Sequence, residues 1–144
     1  MRTLPFLLLC GLMAASPAGA VDTPPSTDLP DLSAIRAQIY SGDYETAIAG
    51  LTDLTATTRH ADLYNLLGYA NRKLGRYEES GRWYSEALYY APDHRPALEY
   101  QGELFLALGD VEAARGNLDM LTLFCPEGCP ERDTLAVAID AHQK

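Results

Sequence analysis

The sequence predicts an all-α fold, three helix-turn-helix units followed by one closing helix. Two observations lead there. Three short stretches resemble one another: Gly42-Asp43-Tyr44-Glu45-Thr46-Ala47, Gly75-Arg76-Tyr77-Glu78-Glu79-Ser80 and Gly109-Asp110-Val111-Glu112-Ala113-Ala114. Their leading glycines are almost evenly spaced along the chain, and each ends one apolar-periodic run and precedes another. Self-similarity at such a fixed period marks a repeat array in which each unit is one supersecondary motif.

Composition fits a globular chain of one domain. It has 144 residues, 47% hydrophobic and 22% charged, with a formal net charge of −9. So acidic a chain lacks the basic footprint of a general nucleic-acid binder. It is equally unsuited to adhering by charge to an anionic membrane.

The elements follow in order. Residues 1–20 read as an export signal: Arg2, an apolar run over residues 4–12, and small residues up to a cut after Ala20. The apolar run is too short to span a bilayer, which takes ~20 residues. Lipid anchoring through Cys10 is disfavoured because Leu9, not a small residue, precedes it. The expected location is therefore the periplasm or the exterior, with no membrane insertion after cleavage. Residues 21–30, with Pro24, Pro25 and Pro30, form a tether. Residues 31–128 carry the repeats, about 28–60, 61–94 and 95–128. In each, glycine closes the first helix in the left-handed conformation. Asp43 and Asp110 are placed to cap the second helix, with Glu45 and Glu112 in its first turn. Residues 129–144 form a capping helix with Pro130 in its first turn and an apolar stripe of Leu135, Ala136, Ala138 and Ile139.

A helix-turn-helix recurring at this period resembles the tetratricopeptide repeat. The middle unit carries the signature best, through Tyr64, Leu67, Gly68, Ser80, Tyr84, Ala87 and Pro92, with Asn71 in place of the usual aromatic. The third matches through Leu98, Gly102, Phe105, Ala114, Leu118 and Pro126, while Gln101 and Leu121 depart. The first matches mainly through Ala47, Leu51 and Leu54. The resemblance implies a right-handed superhelical α-solenoid whose first helices line a concave groove. It implies a close approach of the unit's second helix at Gly68 and Gly102. It also implies a protein or peptide partner, no cofactor and no enzymatic activity.

On that basis the candidate groove residues are Arg36 and Tyr40 from the first unit, Asn65, Tyr69, Arg72 and Lys73 from the second, and Glu99 and Glu103 from the third. Ile39, Asp62 and Leu106 are expected on the same face. Tyr and Arg are common interface anchors; the competing reading is a solvated face of self-satisfied ion pairs. The basic run Arg72, Lys73, Arg76 and Arg82 has the same two readings, since Glu78, Glu79 and Glu86 lie close by in sequence. The Lys/Asn pattern with which chaperone-binding members hold a C-terminal carboxylate is not reproduced.

Cys125-Pro126-Glu127-Gly128-Cys129 is the sharpest local feature. The loop can close a disulfide that fixes the third unit to the cap. The alternatives are a redox-active pair, half of a metal site, or free thiols. Thioredoxin-type motifs have two intervening residues rather than three, and zinc would require two further ligands. Packing accounts for Tyr89 and Tyr90 beside Trp83 and Tyr84. His60, His94 and His142 are expected in solvent at helix ends. No Ser-His-Asp set or Gly-rich phosphate loop is present.

Overall fold

The computed structural model describes residues 27–142; the expected export signal, Cys10 and the first part of the expected tether lie outside them. Within the described residues there are seven helices and no strand: α1 (Ser33–Ser41), α2 (Tyr44–Thr55), α3 (Ala61–Lys73), α4 (Tyr77–Tyr90), α5 (Arg95–Ala107), α6 (Val111–Phe124) and α7 (Pro130–His142). They form three hairpins, α1–α2, α3–α4 and α5–α6, with α7 packed on α5 and α6 as the cap. The chain thus has the all-α repeat architecture that its spacing predicts.

The three turns are built alike. Gly42, Gly75 and Gly109 have φ of 81°, 73° and 79°, which a side chain would resist. The amide after each glycine reaches back to the preceding helix: Asp43 N to Gln38 O, Arg76 N to Asn71 O, and Asp110 N to Phe105 O, at 2.9, 2.9 and 2.8 Å. These bonds use carbonyls that the helix end leaves free. Asp43 and Asp110 then accept from the amides of Thr46 and Ala113, capping α2 and α6. Arg76 cannot cap; it forks instead onto Glu45 of α2, with contacts of 3.0 and 2.5 Å, and ties the second turn to the first unit.

The core runs through the stack. Leu51, Leu63, Tyr64, Leu67 and Ala87 join one cluster, and Leu98, Leu106, Ala114, Leu121, Leu135 and Ile139 the next, with Leu88 packed against both. A single hairpin cannot bury both faces, so stacking supplies the burial. Tyr64 is 2% exposed and stacks on Trp83 and Tyr90. Tyr90 is therefore a packing residue, whereas Tyr89 is 77% exposed.

Gly68 does what the signature implies: a Cβ there would stand 2.5 Å from the Tyr84 ring of the unit's second helix. Gly102 does not. A Cβ there would meet Leu135 of α7 at 2.6 Å, so its missing side chain admits the cap rather than α6. The α5–α6 interface uses polar side chains instead. Asn117 Nδ2 donates to Leu98 O and Gln101 Oε1, which explains Gln101 at a position where the signature has an apolar residue. Leu106, expected on the groove, is 7% exposed and belongs to the core beside α7.

Cys125 and Cys129 are bridged, with Cα atoms 6.0 Å apart, and both residues are 7% exposed. The bridge closes the loop between α6 and α7. Arg132, in the first turn of α7, points its guanidinium at the carbonyls of Cys125 and Pro126.

Candidate functional site

The first helices of the hairpins share one face. A cleft of about 250 Å³ opens there, lined by Arg36, Ile39 and Tyr40 of α1, Tyr44 of α2, Leu66 and Tyr69 of α3, and Tyr100 of α5. Each lining position follows from helical spacing: Arg36, Ile39 and Tyr40 form one stripe of α1, and Leu66 and Tyr69 one stripe of α3. Tyr100 is the equivalent of Leu66 in the following repeat. The walls are largely tyrosine rings, each apolar on its face and polar at its hydroxyl. Tyr40 is 91% exposed and stands free at the rim.

Beyond Tyr69 and Tyr100 the face becomes charged. The two rings meet at 5.1 Å, and the Arg72 guanidinium lies 5.6 and 5.8 Å from their centroids. Arg72 also contacts Glu103 at 2.5 Å, with both side chains mostly shielded. The buried Tyr84 hydroxyl lies beside Arg72 and Ser80 without a well-aligned hydrogen bond, and burial pushes it well above the usual phenol range. Arg72 and Glu103 thus join α3 to α5. Lys73 sits over the Tyr69 ring at 5.4 Å.

The other sequence-predicted positions divide. Arg36 and Tyr40 line the cleft directly. Asn65 lies one turn before Tyr69, is 5% exposed, and its Oδ1 has no hydrogen-bond partner among the described residues. Glu99, half-buried on α5, has its carboxyl pushed up to about 7 by burial and by its neighbours Glu103 and Glu131, against the pull of Arg72. Asp62 is engaged at the helix start. His94 Nε2 lies 2.7 Å from its Oδ1, and Arg36 stands 3.8 Å from its other oxygen. The His94 contact, aided by nearby His60 and Arg36, lowers the Asp62 carboxyl despite burial.

Two histidines correct the sequence reading. His60 Nδ1 accepts from Asp62 N, and His94 Nδ1 accepts from Ala97 N, each at 3.1 Å. They cap α3 and α5 rather than facing solvent, and His94 then carries its proton on Nε2, toward Asp62. The three arginines of the basic run have carboxylate partners, mostly distant in sequence: Arg72 with Glu103, Arg76 with Glu45, and only Arg82 with nearby Glu79; Lys73 has the Tyr69 ring instead. Sequence reasoning missed Tyr44, Leu66 and Tyr100; a shift of one full repeat from Leu66 would have found Tyr100. Among the described residues no group of three or more His, Cys, Asp or Glu side chains is placed to hold a metal ion.

Comparison with known proteins bears on the same architecture. Residues 32–93 match the tetratricopeptide repeat family model. A search of curated proteins returned no match. Among solved structures, the chain is similar to the second such domain of human RPAP3, determined with an HSP70 peptide: 21% identity, 77% of this chain and 90% of that one, TM-score 0.67. It is also similar to the type III secretion translocator chaperone SycD of Yersinia enterocolitica, at 19% identity over 77% of this chain and 79% of that one, TM-score 0.69. PcrH, in complex with the chaperone binding region of PopD, gives 21% identity, 76% and 82% coverage, and a TM-score of 0.64. These likenesses establish the right-handed superhelical solenoid. With the repeated glycine turns, the Gly68–Tyr84 packing and the match over residues 32–93 in agreement, the chain carries tetratricopeptide repeats and has the fold of that repeat class.

Proposed function

We propose that this chain is a non-enzymatic binding module, exported to the periplasm or beyond, which holds an extended protein or peptide segment in the groove of its first helices. One observation carries the reading: a tyrosine-walled cleft built jointly by α1, α2, α3 and α5, which exists only because the hairpins stack. Amphipathic rings fixed on a rigid scaffold suit a partner side chain at little entropic cost. RPAP3 and PcrH, which share the fold, were solved with bound segments of other proteins. The bridge between Cys125 and Cys129 supports export, because such bonds persist in oxidising compartments. Its burial supports a structural clip over a redox role.

A photo-crosslinking residue placed at Tyr40 or at Tyr69, in cells producing the full chain, tests this. The same adduct is expected at both positions and none at Val137, which lies exposed on α7. Adducts at Val137 with none at the cleft would move binding to another face. N-terminal sequencing of the cell-derived protein should begin at Val21; a retained signal would overturn export.

A further inference from the structure

Resting on that groove reading, we infer that the bound segment is bipolar: an acidic residue beside Arg36, an apolar side chain in the tyrosine cleft, and a lysine or arginine beside Glu99 and Glu131. The α1–α3 side of the face is cationic within a chain of net charge −9. Arg36 is half exposed, and among the described residues its only close carboxylate, at 3.8 Å, is Asp62, which His94 already engages at 2.7 Å. Lys73 has the Tyr69 ring and no ion pair among the described residues. An acidic side chain entering beside Arg36 meets a cation that is not already well paired.

The α5–α7 side is the reverse. Arg72 is taken by Glu103. Glu99 and Glu131 are electrostatic neighbours, and among the described residues neither is in an ion pair with a cation. The buried Oε2 of Glu131 has no hydrogen-bond partner among the described residues. Glu99 is surrounded by Glu103 and Tyr100 on its own helix, Glu131 on α7 and Arg72 on α3. An ammonium or guanidinium group would satisfy both carboxylates at once. Asn65, the equivalent of Glu99 in the preceding repeat, lies beneath this face, nine-tenths buried, its Oδ1 without a hydrogen-bond partner among the described residues. Opposite charges at the two ends of one groove set the orientation of what it holds.

The test is fluorescence anisotropy of the purified protein with four labelled nonapeptides, each with one central leucine. The leucine is flanked by Asp and Lys, by two Asp, by two Lys, or by Asn and Gln. The bipolar peptide is expected to bind about tenfold more tightly than the neutral one, and more tightly than either single-sign peptide. Glu99→Lys should lose that advantage and turn the preference to the two-Asp peptide. Affinity for the bipolar peptide should rise severalfold from pH 6 to 8, and Glu99→Gln, which keeps shape and folding, should remove that rise. Equal binding of neutral and bipolar peptides, with crosslinks still formed at Tyr69, would overturn the bipolar inference and leave the groove reading standing. Tightest binding of the two-Asp peptide by the unaltered protein would overturn it too. No binding of any peptide, together with no adduct at Tyr40 or Tyr69, would overturn both.

Discussion

Gly68→Ala sets two effects of opposite sign against each other, and the structure decides between them. Alanine in a helix interior is favoured over glycine by about 1 kcal/mol. At Gly68, however, the new Cβ would stand 2.5 Å from Cδ1 and Cε1 of Tyr84 and 3.0 Å from Cγ. Ordinary carbon contacts lie at about 3.5–4.0 Å, so ring and helix must part by about 1 Å. Neither yields readily. Tyr84 is fully buried, and Ser80 Oγ pins α4 to the Gly68 carbonyl at 2.8 Å. Overpacking of this kind costs about 1–3 kcal/mol, and the rigid ring places it at the upper end, for a net loss of about 2 kcal/mol. Gly116 is the control, because a Cβ there meets nothing within 4 Å; Gly116→Ala should stabilise by up to ~1 kcal/mol. At about 4 °C per kcal/mol, thermal unfolding should move down by ~8 °C and up by ~4 °C respectively. Tyr84→Leu should recover part of the Gly68→Ala loss in a double-mutant cycle. If Gly68→Ala raised Tm as Gly116→Ala does, close approach of the hairpin helices would not hold this fold together.

Glu99 gives a pH dependence of definite sign. Its folded carboxyl titrates near 7 against an ordinary 4.5, so the folded state keeps a proton that the unfolded chain releases. That contribution is full below about pH 4.5 and is lost as pH rises through 7. Urea midpoints should fall over this window and flatten in Glu99→Gln. Arg72→Met should cost about 1–3 kcal/mol by leaving Glu103 unpaired, whereas Arg72→Met with Glu103→Met should lie near neutral, read from urea midpoints. Replacing Cys125 and Cys129 by serine opens so short a loop that about 2 kcal/mol or less is lost; circular dichroism should show retained helix with a lowered Tm.

The hairpins were legible because each turn carries its own chemistry: glycine for the left-handed residue, then an aspartate that caps the next helix. Asp43 and Asp110 needed no tertiary information. His60 and His94 did, since a histidine at a helix end announces neither its tautomer nor its partner, and Asp62 lies 32 residues from His94. Gly102 carried a true signal of close packing, but only the position of α7 decides that Leu135 fills the space. Leu106 lay at the edge of the groove stripe, where one helix presents both core and solvent; the cap turned it inward. Arg72 and Glu103 were both placed on the groove from sequence, and their distance in the fold turned two candidate anchors into one internal pair. Tyr44 enters the cleft from the start of α2, off the first helices altogether, and Tyr100 from the α5 position equivalent to Leu66, next to rather than at the positions picked from sequence.

Amide shift mapping tests the central claim most directly. The 15N-labelled protein is titrated with the tightest-binding of the four nonapeptides. Shifts concentrated on α1, α3 and α5, largest around Tyr40, Tyr69 and Tyr100, are the predicted result. Shifts confined to α2, α4 and α6, with those three tyrosines unmoved, would contradict it.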